Sequence, residues 1–237
     1  MANILLTGAS RGIGAAARSL LEQAGHTVIG QSTAGGGGLI AADFAHPRAA
    51  DALWAQALDR AGAKGERRID VLVNNAGVFE AAEIGDADGF AATWARSIAI
   101  NLQSAADLCR HAVLHFQRNG GGRIVNVASR AGHRGDSPKH WHYAAAKGGM
   151  LAMTKTIARA YAGQNILAFA ITPGFTMTGM AEDYLSSRGG DKLLADIPLG
   201  RVATPEEVAE TIRWLASDAP ASLTGATIDI NGASYVR

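Results

Sequence analysis

The sequence predicts an α/β fold in which a parallel sheet of about seven strands carries helices on both faces. Short apolar runs alternate with longer helical stretches, a glycine-rich turn joins the first strand to the first helix, and no internal repeat or linker divides the chain. A chain of 237 residues can bury a substantial core without splitting, so residues 1–237 are predicted to form a single domain.

The strands are predicted from runs of β-branched and apolar residues that are bounded by turn residues. In chain order they are Ile4–Thr7, Thr27–Gly30, Leu39–Ala42, Ile69–Asn74, Arg123–Ala128, Ile166–Thr172 and Thr227–Ile230. The main helices are predicted at Gly12–Ala24, Ala49–Arg60, Gly89–Gln117, Tyr143–Ala162 and Pro205–Ala216. This alternation is typical of a doubly wound sheet.

The last of these helices has the clearest start signal. Thr204 is predicted as the N-cap, Pro205 as the first helical residue, and Glu207 as the third, which together make a capping box. We assign this motif a structural role only.

Composition and charge exclude several functional classes. The net charge of +1 does not support binding to nucleic acid or to a membrane surface, which requires a basic patch. Cys109 is the only cysteine, so no intrachain disulfide forms and a reducing compartment is compatible. The first apolar run, residues 3–7, is too short for a signal peptide or a membrane span. We therefore expect a soluble, cytoplasmic protein, and we predict no metal site.

A glycine-rich turn follows the first strand, in the run Thr7-Gly8-Ala9-Ser10-Arg11-Gly12-Ile13-Gly14. Glycines allow a tight turn and let the backbone approach a pyrophosphate, while the free N–H groups at the start of the next helix favour negative charge. A strand before the turn and a helix after it favour dinucleotide binding by a Rossmann-like fold.

Tyr143 and Lys147 lie four residues apart in a predicted helix, so their side chains share one face. A free tyrosine has a pKa of about 10 and exchanges protons poorly at neutral pH. We expect the ammonium group of Lys147 to lower the pKa of Tyr143 and make it a general acid or base.

These motifs occur in an order that resembles the short-chain dehydrogenase/reductase family, in its compact single-domain branch. The matching positions are Thr7–Gly14, Asn74–Gly77, Asn101, Ser129, Tyr143, Lys147, and Pro173–Gly174 with Thr178. The resemblance covers nearly the whole chain. The segments Ile197–Arg201 and Thr204–Val208 are most similar to the branch that contains 3-oxoacyl-carrier-protein reductases.

The resemblance implies a catalytic set of four residues. Tyr143 would exchange the proton with the carbonyl or alcohol oxygen, and Ser129 would donate to that oxygen. Lys147 would lower the pKa of Tyr143 and bind the nicotinamide ribose, and Asn101 would hold a water in a proton relay. Without the other motifs, we would interpret Asn101 and Ser129 each as a buried polar residue that hydrogen-bonds a nearby backbone group. Asn74 is predicted to tie neighbouring strands together.

The predicted cofactor is NADP(H), with NAD(H) as the alternative. An NAD site of this type carries an acid at the end of the second strand, but no acid occurs between Glu22 and Asp43. Arg11, Ser32 and Thr33 are predicted to bind the 2′-phosphate, and Asp43 to face the adenine. All predicted cofactor contacts are Gly8, Ser10, Arg11, Gly12, Ile13, Gly14, Ser32, Thr33, Asp43, Asn75, Ala76, Gly77, Tyr143, Lys147, Pro173, Gly174, Thr176 and Thr178.

Two segments depart from the family pattern. Only residues 31–38, four of them glycines, separate the second and third strands where relatives usually carry a helix, so we expect an open or mobile adenine side. Asn231-Gly232-Ala233 stands where the family usually has Asp-Gly-Gly, and we interpret it as a conservative change in a structural turn.

The substrate pocket is expected between Gly132–His142 and Phe175–Leu194. The second segment is interpreted either as an apolar lid or as a satellite core, formed by Phe175, Met177, Met180, Tyr184 and Leu185. Trp141 is placed at the opening, and His142 is left without a role. Arg130, Arg134 and Lys139 would suit an acidic carrier or an acyl phosphopantetheine, but scattered surface charge explains them better.

The predicted function is NADPH-dependent reduction of a ketone or 3-oxoacyl thioester, or the reverse reaction. The alternatives are a dehydrogenase of a cyclic, diol or sterol-like alcohol and a cofactor-binding regulator without turnover. The long helices carry apolar residues on more than one face, so we predict a homotetramer or homodimer. The residues concerned are Ala92, Trp94, Ile98, Leu102, Ala146, Met150, Met153 and Ile157.

Overall fold

The computed structural model describes residues 1–63, 65–177 and 190–237, and these form a seven-stranded sheet whose neighbouring strands all run parallel. The strands are β1 (Asn3–Leu6), β2 (Thr27–Ser32), β3 (Ile40–Ala41), β4 (Val71–Asn74), β5 (Gly122–Val127), β6 (Ile166–Pro173) and β7 (Thr227–Ile230). Their order across the sheet is β3-β2-β1-β4-β5-β6-β7. The order reverses between β1 and β4, which opens a crevice at the carboxyl ends of these strands.

Helices cover both faces of the sheet. They are α1 (Gly12–Gln23), α2 (Ala49–Gly62), α3 (Ala87–Ile98), α4 (Ser104–Arg118), α5 (Ala131–Arg134), α6 (Trp141–Tyr161), α7 (Gly190–Ala195) and α8 (Pro205–Ser217). Shorter helical turns follow at Ala162–Gln164 and Ala221–Leu223. Among the described helices, none combines the length and hydropathy needed to cross a bilayer.

The core has two layers, one on each face of the sheet. Apolar side chains of α2, α4 and α6 pack on one face, and those of α1 and α8 pack on the other. All eight residues of β6 are buried, because a central parallel strand is covered from both sides. This arrangement fixes the carboxyl ends of the strands, where the candidate site lies.

The predicted fold class is confirmed, and all seven predicted strands are present with ends that differ by at most two residues. One helix prediction was wrong. The predicted helix Gly89–Gln117 is divided into α3 and α4 by a π-helical segment, Ala99–Gln103. A π turn admits one extra residue, and the apolar pattern of the sequence does not reveal that insertion. The short helices α5 and α7 were also not predicted.

The start of α8 confirms the predicted capping box. The backbone N–H of Glu207 donates to Thr204 Oγ1 over 3.3 Å, and the Thr204 N–H donates to Glu207 Oε2 over 2.8 Å. Arg201 then binds both carboxylate oxygens of Glu207 at 2.8 Å. These bonds lower the pKa of Glu207 to about 2, with the Arg201 hydrogen bond as the largest cause.

The glycine tract between β2 and β3 is a compact turn. Gly35, Gly36, Gly37 and Gly38 all have positive φ, at 71°, 83°, 57° and 81°, a conformation that favours glycine. The Leu39 N–H donates to the Gly36 carbonyl over 2.9 Å. The guanidinium groups of Arg18 and Arg60 donate to the carbonyls of Gly37 and Gly38. The tract is therefore held by side chains from α1 and α2.

Candidate active site

The glycine turn lies in the crevice between β1 and β4, and its glycines are required by close contacts. A Cβ atom on Gly14 would lie 1.9 Å from the Gly8 carbonyl oxygen, and one on Gly8 would lie 2.9 Å from the Ala76 Cα. Gly8 and Gly12 also have φ values of 66° and 52°. The turn thus brings bare backbone to the crevice floor, a geometry that fits a dinucleotide pyrophosphate.

The turn ends in the N-terminus of α1. Arg11 occupies the N-cap position without a side-chain capping bond, and the first turn contains no acidic residue. The N–H groups of this first turn therefore face the crevice without a capping side chain. Ser10 and Arg11 are exposed beside them. The arrangement favours an anion at this point.

The loop after β4 forms a wall against the glycine turn. The N–H groups of Asn75 and Ala76 both donate to Thr7 Oγ1 over 2.9 Å. The Asn75 side chain donates to the carbonyls of Thr7 and Gly8 over 3.0 and 3.1 Å. These bonds hold Asn75–Gly77 next to the predicted cofactor turn.

Asn74 has the structural position that we expected for it. Its side-chain amide donates to Asn126 Oδ1 over 2.8 Å, which joins the ends of β4 and β5. Asn126 in turn donates to Thr154 Oγ1 on α6 over 2.8 Å. This chain of buried bonds fixes α6 against the sheet.

The four predicted catalytic residues come together at the carboxyl ends of β4 and β5. The side chain of Ser129 lies close enough to Tyr143 to oppose the rise in the pKa of its phenol. Lys147 Nζ lies 5.7 Å from the centre of the Tyr143 ring, on the same face of α6. A Cβ atom on Gly77 would lie 2.8 Å from Asn101 Oδ1 and 3.7 Å from Lys147 Nζ, so both groups converge on this glycine.

Asn101 lies within the π-helical segment and is completely buried. Its side-chain oxygen accepts from the Val78 N–H over 2.9 Å, and its amide donates to the Val78 carbonyl over 3.0 Å. The amide also donates to Ser97 Oγ over 2.9 Å. Two of these three bonds thus fix the loop after β4, and the third joins Asn101 to α3. A π turn at a predicted catalytic residue agrees with the general placement of such turns at functional sites.

Burial dominates the electrostatics of the Tyr143–Lys147 pair. Lys147 is 3% exposed, and desolvation lowers its pKa to about 8. Its ammonium group donates to the Val127 carbonyl over 2.8 Å. Burial raises the pKa of Tyr143, and the side chain of Ser129 opposes that rise. The expected lowering of the pKa of Tyr143 by Lys147 is therefore wrong for this structure.

The comparisons with known proteins agree along nearly the whole chain. A family model described as enoyl-(acyl carrier protein) reductase matches residues 8–233. A 3-oxoacyl-(acyl-carrier-protein) reductase of Thermotoga maritima is 38% identical over 241 residues, which cover 96% of this chain and 95% of that protein. The chain belongs to the short-chain dehydrogenase/reductase family. It is an NAD(P)-dependent oxidoreductase.

Two further relatives of this short-chain dehydrogenase/reductase are a second reductase and a dehydrogenase. A 3-oxoacyl-(acyl-carrier-protein) reductase of Synechocystis is 37% identical over 251 residues, which cover 96% of this chain and 94% of that protein. A cis-4-hydroxycyclohexanecarboxylate dehydrogenase of Sinomonas cyclohexanicum is 37% identical over 247 residues, with the same coverage of both chains.

Gln31 is a site residue of this short-chain dehydrogenase/reductase that the sequence analysis missed. It is buried at the end of β2, where its side-chain oxygen accepts from the Gly8 N–H over 2.8 Å. Its amide donates to the Ala42 carbonyl over 2.7 Å. Gln31 therefore connects the glycine turn to the segment after β3. The available signal was a polar residue at the end of an otherwise apolar strand.

The other residues predicted near the adenine lie around the same strand ends. Ser32 is buried, and its hydroxyl accepts from the Gly35 N–H over 3.0 Å. Thr33 is exposed. Asp43 accepts from the Ala45 N–H over 2.9 Å. Ser32 and Asp43 thus also shape the local backbone.

The far side of the crevice is formed by the residues after β6. Pro173 ends that strand, and the Gly174 N–H donates to the Ile230 carbonyl over 2.9 Å. Thr176 is buried and forms a bridge with Ala203. Thr178 and the lid residues Met180, Tyr184 and Leu185 lie outside the described residues.

Ala233 corrects the interpretation of the departure near the C-terminus. It has a φ of 64°, in the left-handed region that favours glycine. The preceding Gly232 has a φ of 62°. Alanine at the position where the family usually has glycine is therefore strained, and the change is not conservative.

The mouth of the site shows two features that the sequence did not reveal. His142, to which the sequence assigned no role, is completely buried on the inward side of α6. Arg130 and Arg134 both contact Asp196, at 3.3 and 3.0 Å, and Lys139 contacts Glu83. Each of these cations thus has a carboxylate partner. Their partners lie far along the chain, which sequence reasoning did not anticipate.

Proposed function

We propose that this protein catalyses NADP(H)-dependent reduction of a carbonyl group to a secondary alcohol, or the reverse reaction. The ketone or 3-oxoacyl thioester accepts a hydride at carbon and a proton at oxygen. The observation that carries the proposal is the convergence of Asn101 and Lys147 on Gly77, with Tyr143 and Lys147 on one face of α6. The bound dinucleotide supplies or accepts the hydride.

Tyr143 is proposed as the general acid in reduction and the general base in oxidation. The phenol is protonated at neutral pH, as the acid role requires, and burial raises its pKa further. Ser129 donates to the substrate oxygen and stabilises the charge that develops there. Lys147 and Asn101 converge on Gly77, and we propose that they position the ribose and a proton-relay water.

The proposed preference for NADP(H) over NAD(H) rests on the residues around the end of β2. Ser32 and Thr33 stand where an NAD site would present a carboxylate. The exposed Arg11 guanidinium lies at the N-terminus of α1, where it can pair with a 2′-phosphate. The glycine turn supplies the pyrophosphate cradle.

The experiment that tests the function replaces Tyr143 by phenylalanine. We expect Tyr143→Phe to lose at least about 100-fold in kcat, because a positioned acid contributes this much or more. NADPH binding, measured by fluorescence, should be retained, since the glycine turn and the other predicted cofactor contacts are unchanged. Hydride transfer at the wild-type rate by Tyr143→Phe would overturn the proposal.

We also propose that the chain forms a homodimer or homotetramer through α4 and α6. A shallow apolar groove between these helices is lined by Val113, Leu114, Met153, Ile157 and Tyr161, and Leu114 is 42% exposed. Ala146 and Met150, which we had included in this surface, are buried within the protomer. Light scattering that shows only the 24.5 kDa protomer would exclude the assembly.

A further inference from the structure

A stacked pair of rings lies beside the proposed catalytic tyrosine. The Phe79 and His140 rings are parallel within 2°, with centres 3.8 Å apart. Ser137 Oγ lies 2.7 Å from His140 Nδ1 and orients the imidazole. We call this pair the Phe79–His140 stack. It joins the loop after β4 to the segment before α6.

The stack contacts Tyr143 directly. The Phe79 ring meets the Tyr143 ring edge-on, with centres 4.9 Å apart and planes at 82°. Phe79 remains 37% exposed, so part of its ring faces open space next to the phenol. Burial lowers the pKa of His140, which keeps the imidazole neutral at pH 7. The surface beside the Tyr143 ring is therefore flat and aromatic.

Such a surface suits a ring better than a flexible chain. Aromatic faces and edges pack well against planar or compact rings. A rigid ring also loses less conformational freedom on binding than a straight acyl chain does. The site thus favours substrates whose carbonyl belongs to a ring or is attached to one.

The charges near the mouth do not favour an acidic carrier protein. Arg130 and Arg134 share Asp196, and Lys139 is paired with Glu83. These three cations share two carboxylates, which leaves a net charge of about +1 for an acidic partner to meet. One uncompensated charge gives little steering of an acidic partner.

We propose that the substrate is a free, ring-bearing ketone or its alcohol, and that the Phe79–His140 stack selects it over straight-chain acyl thioesters on a carrier. The inference rests on the proposed function, since it names the substrate class of the same site. Phe79 acts as a specificity residue through its ring. The name of the Sinomonas relative, a dehydrogenase of a hydroxycyclohexane, is consistent with this class.

The test compares two six-carbon ketones, cyclohexanone and 2-hexanone, and adds acetoacetyl-N-acetylcysteamine as a short thioester. Wild-type kcat/KM should be highest for cyclohexanone. Phe79→Leu keeps an apolar side chain but removes the ring, and we expect it to lower kcat/KM for cyclohexanone about fivefold through KM. For 2-hexanone the value should stay within about twofold, because a chain does not use the aromatic face.

Trp214→Leu is the control. Trp214 is also aromatic, but it lies on α8 and packs on the opposite face of the sheet from α6. This variant should leave both ketones unaffected. An equal loss on both ketones in Phe79→Leu, or a wild-type preference for the thioester, would overturn the inference alone. Loss of turnover on every ketone and thioester, with NADPH still bound, would overturn the proposed function as well.

Discussion

The ammonium group of Lys147 donates to the Val127 carbonyl over 2.8 Å, while it stands 5.7 Å from the ring of Tyr143. The ammonium group thus donates a hydrogen bond to a backbone oxygen at the end of β5. Its charge is stabilised there by one dipole, in a site that burial has largely stripped of water. Both members of the pair are therefore governed by desolvation, and this has consequences for stability and for activity.

The stability of the protein should rise with pH because of Lys147. The pKa of Lys147 is about 8 in the folded protein and 10.5 without the effects of the fold. The unfolded chain therefore binds more protons than the folded protein between pH 8 and pH 10.5. The free energy of unfolding therefore increases with pH in this window. We expect the difference between wild type and Lys147→Met to grow by about 2 kcal/mol from pH 7 to 9.5. Urea unfolding at several pH values measures it, and a constant difference would contradict the burial of this charge.

The two directions of the reaction should respond differently to pH. A raised pKa of Tyr143 keeps the phenol protonated, so kcat/KM for reduction should be flat from pH 6 to 8. Oxidation needs the phenolate, and its rate should rise about tenfold for each pH unit below that pKa. Initial rates in both directions test this. Oxidation that is already constant at pH 7 would show that the pKa is lowered in the working enzyme.

Gly14→Ala should disrupt the glycine turn. The added Cβ would lie 1.9 Å from the Gly8 carbonyl oxygen, so the backbone has to shift. We expect the Kd for NADPH to rise at least about tenfold, because the turn is proposed to carry the pyrophosphate contacts. Gly163→Ala is the control, since no atom lies within 4 Å of its Cβ position. Unchanged NADPH binding in Gly14→Ala would mean that the cofactor does not use this turn.

Ser32→Asp should change the cofactor preference. Ser32 ends β2, where a carboxylate would accept hydrogen bonds from a ribose and repel a 2′-phosphate. We expect kcat/KM with NADPH to fall at least about tenfold, and the value with NADH to be maintained or improved. The isosteric control is Ser32→Asn, which lacks the negative charge. If both variants lose NADPH activity equally, repulsion of a phosphate is not the cause.

Ala233→Gly should stabilise the protein. Ala233 has a φ of 64°, and a non-glycine residue in that region costs about 1 kcal/mol. We expect the free energy of unfolding to increase by roughly this amount. Ala221→Gly, at an exposed position of a short helical turn, should instead lower stability slightly. Equal destabilisation by both variants would show that the turn relaxes without strain.

The sequence predicted the elements whose signals are local. The apolar runs located every strand, and Thr204 with Glu207 located the start of α8, since a capping box is formed by residues three apart. The order of motifs also predicted which four side chains meet at the ends of β4 and β5. Each of them follows a strand or lies on a long helix, and these positions converge in a doubly wound sheet.

The features that were missed depend on contacts between distant residues. Asp196 pairs with Arg130 and Arg134 from 66 and 62 positions away, and the sequence does not show which carboxylate will approach them. The raised pKa of Tyr143 follows from burial, whereas helical spacing indicated only its cationic neighbour. Gln31 was overlooked because its side chain bonds to Gly8, which follows β1, and to Ala42, which follows β3.

The π-helical segment Ala99–Gln103 amounts to one surplus residue in an otherwise regular hydrogen-bond ladder. Deleting a single residue there would let α3 and α4 fuse into one continuous helix. Each residue of an α-helix turns the chain by about 100°, so the side chain at position 101 would swing away from Val78. We expect such a shortened protein to be more stable to heat but less active. The π-helical segment therefore lowers the regularity of the helix and places the Asn101 amide next to Val78.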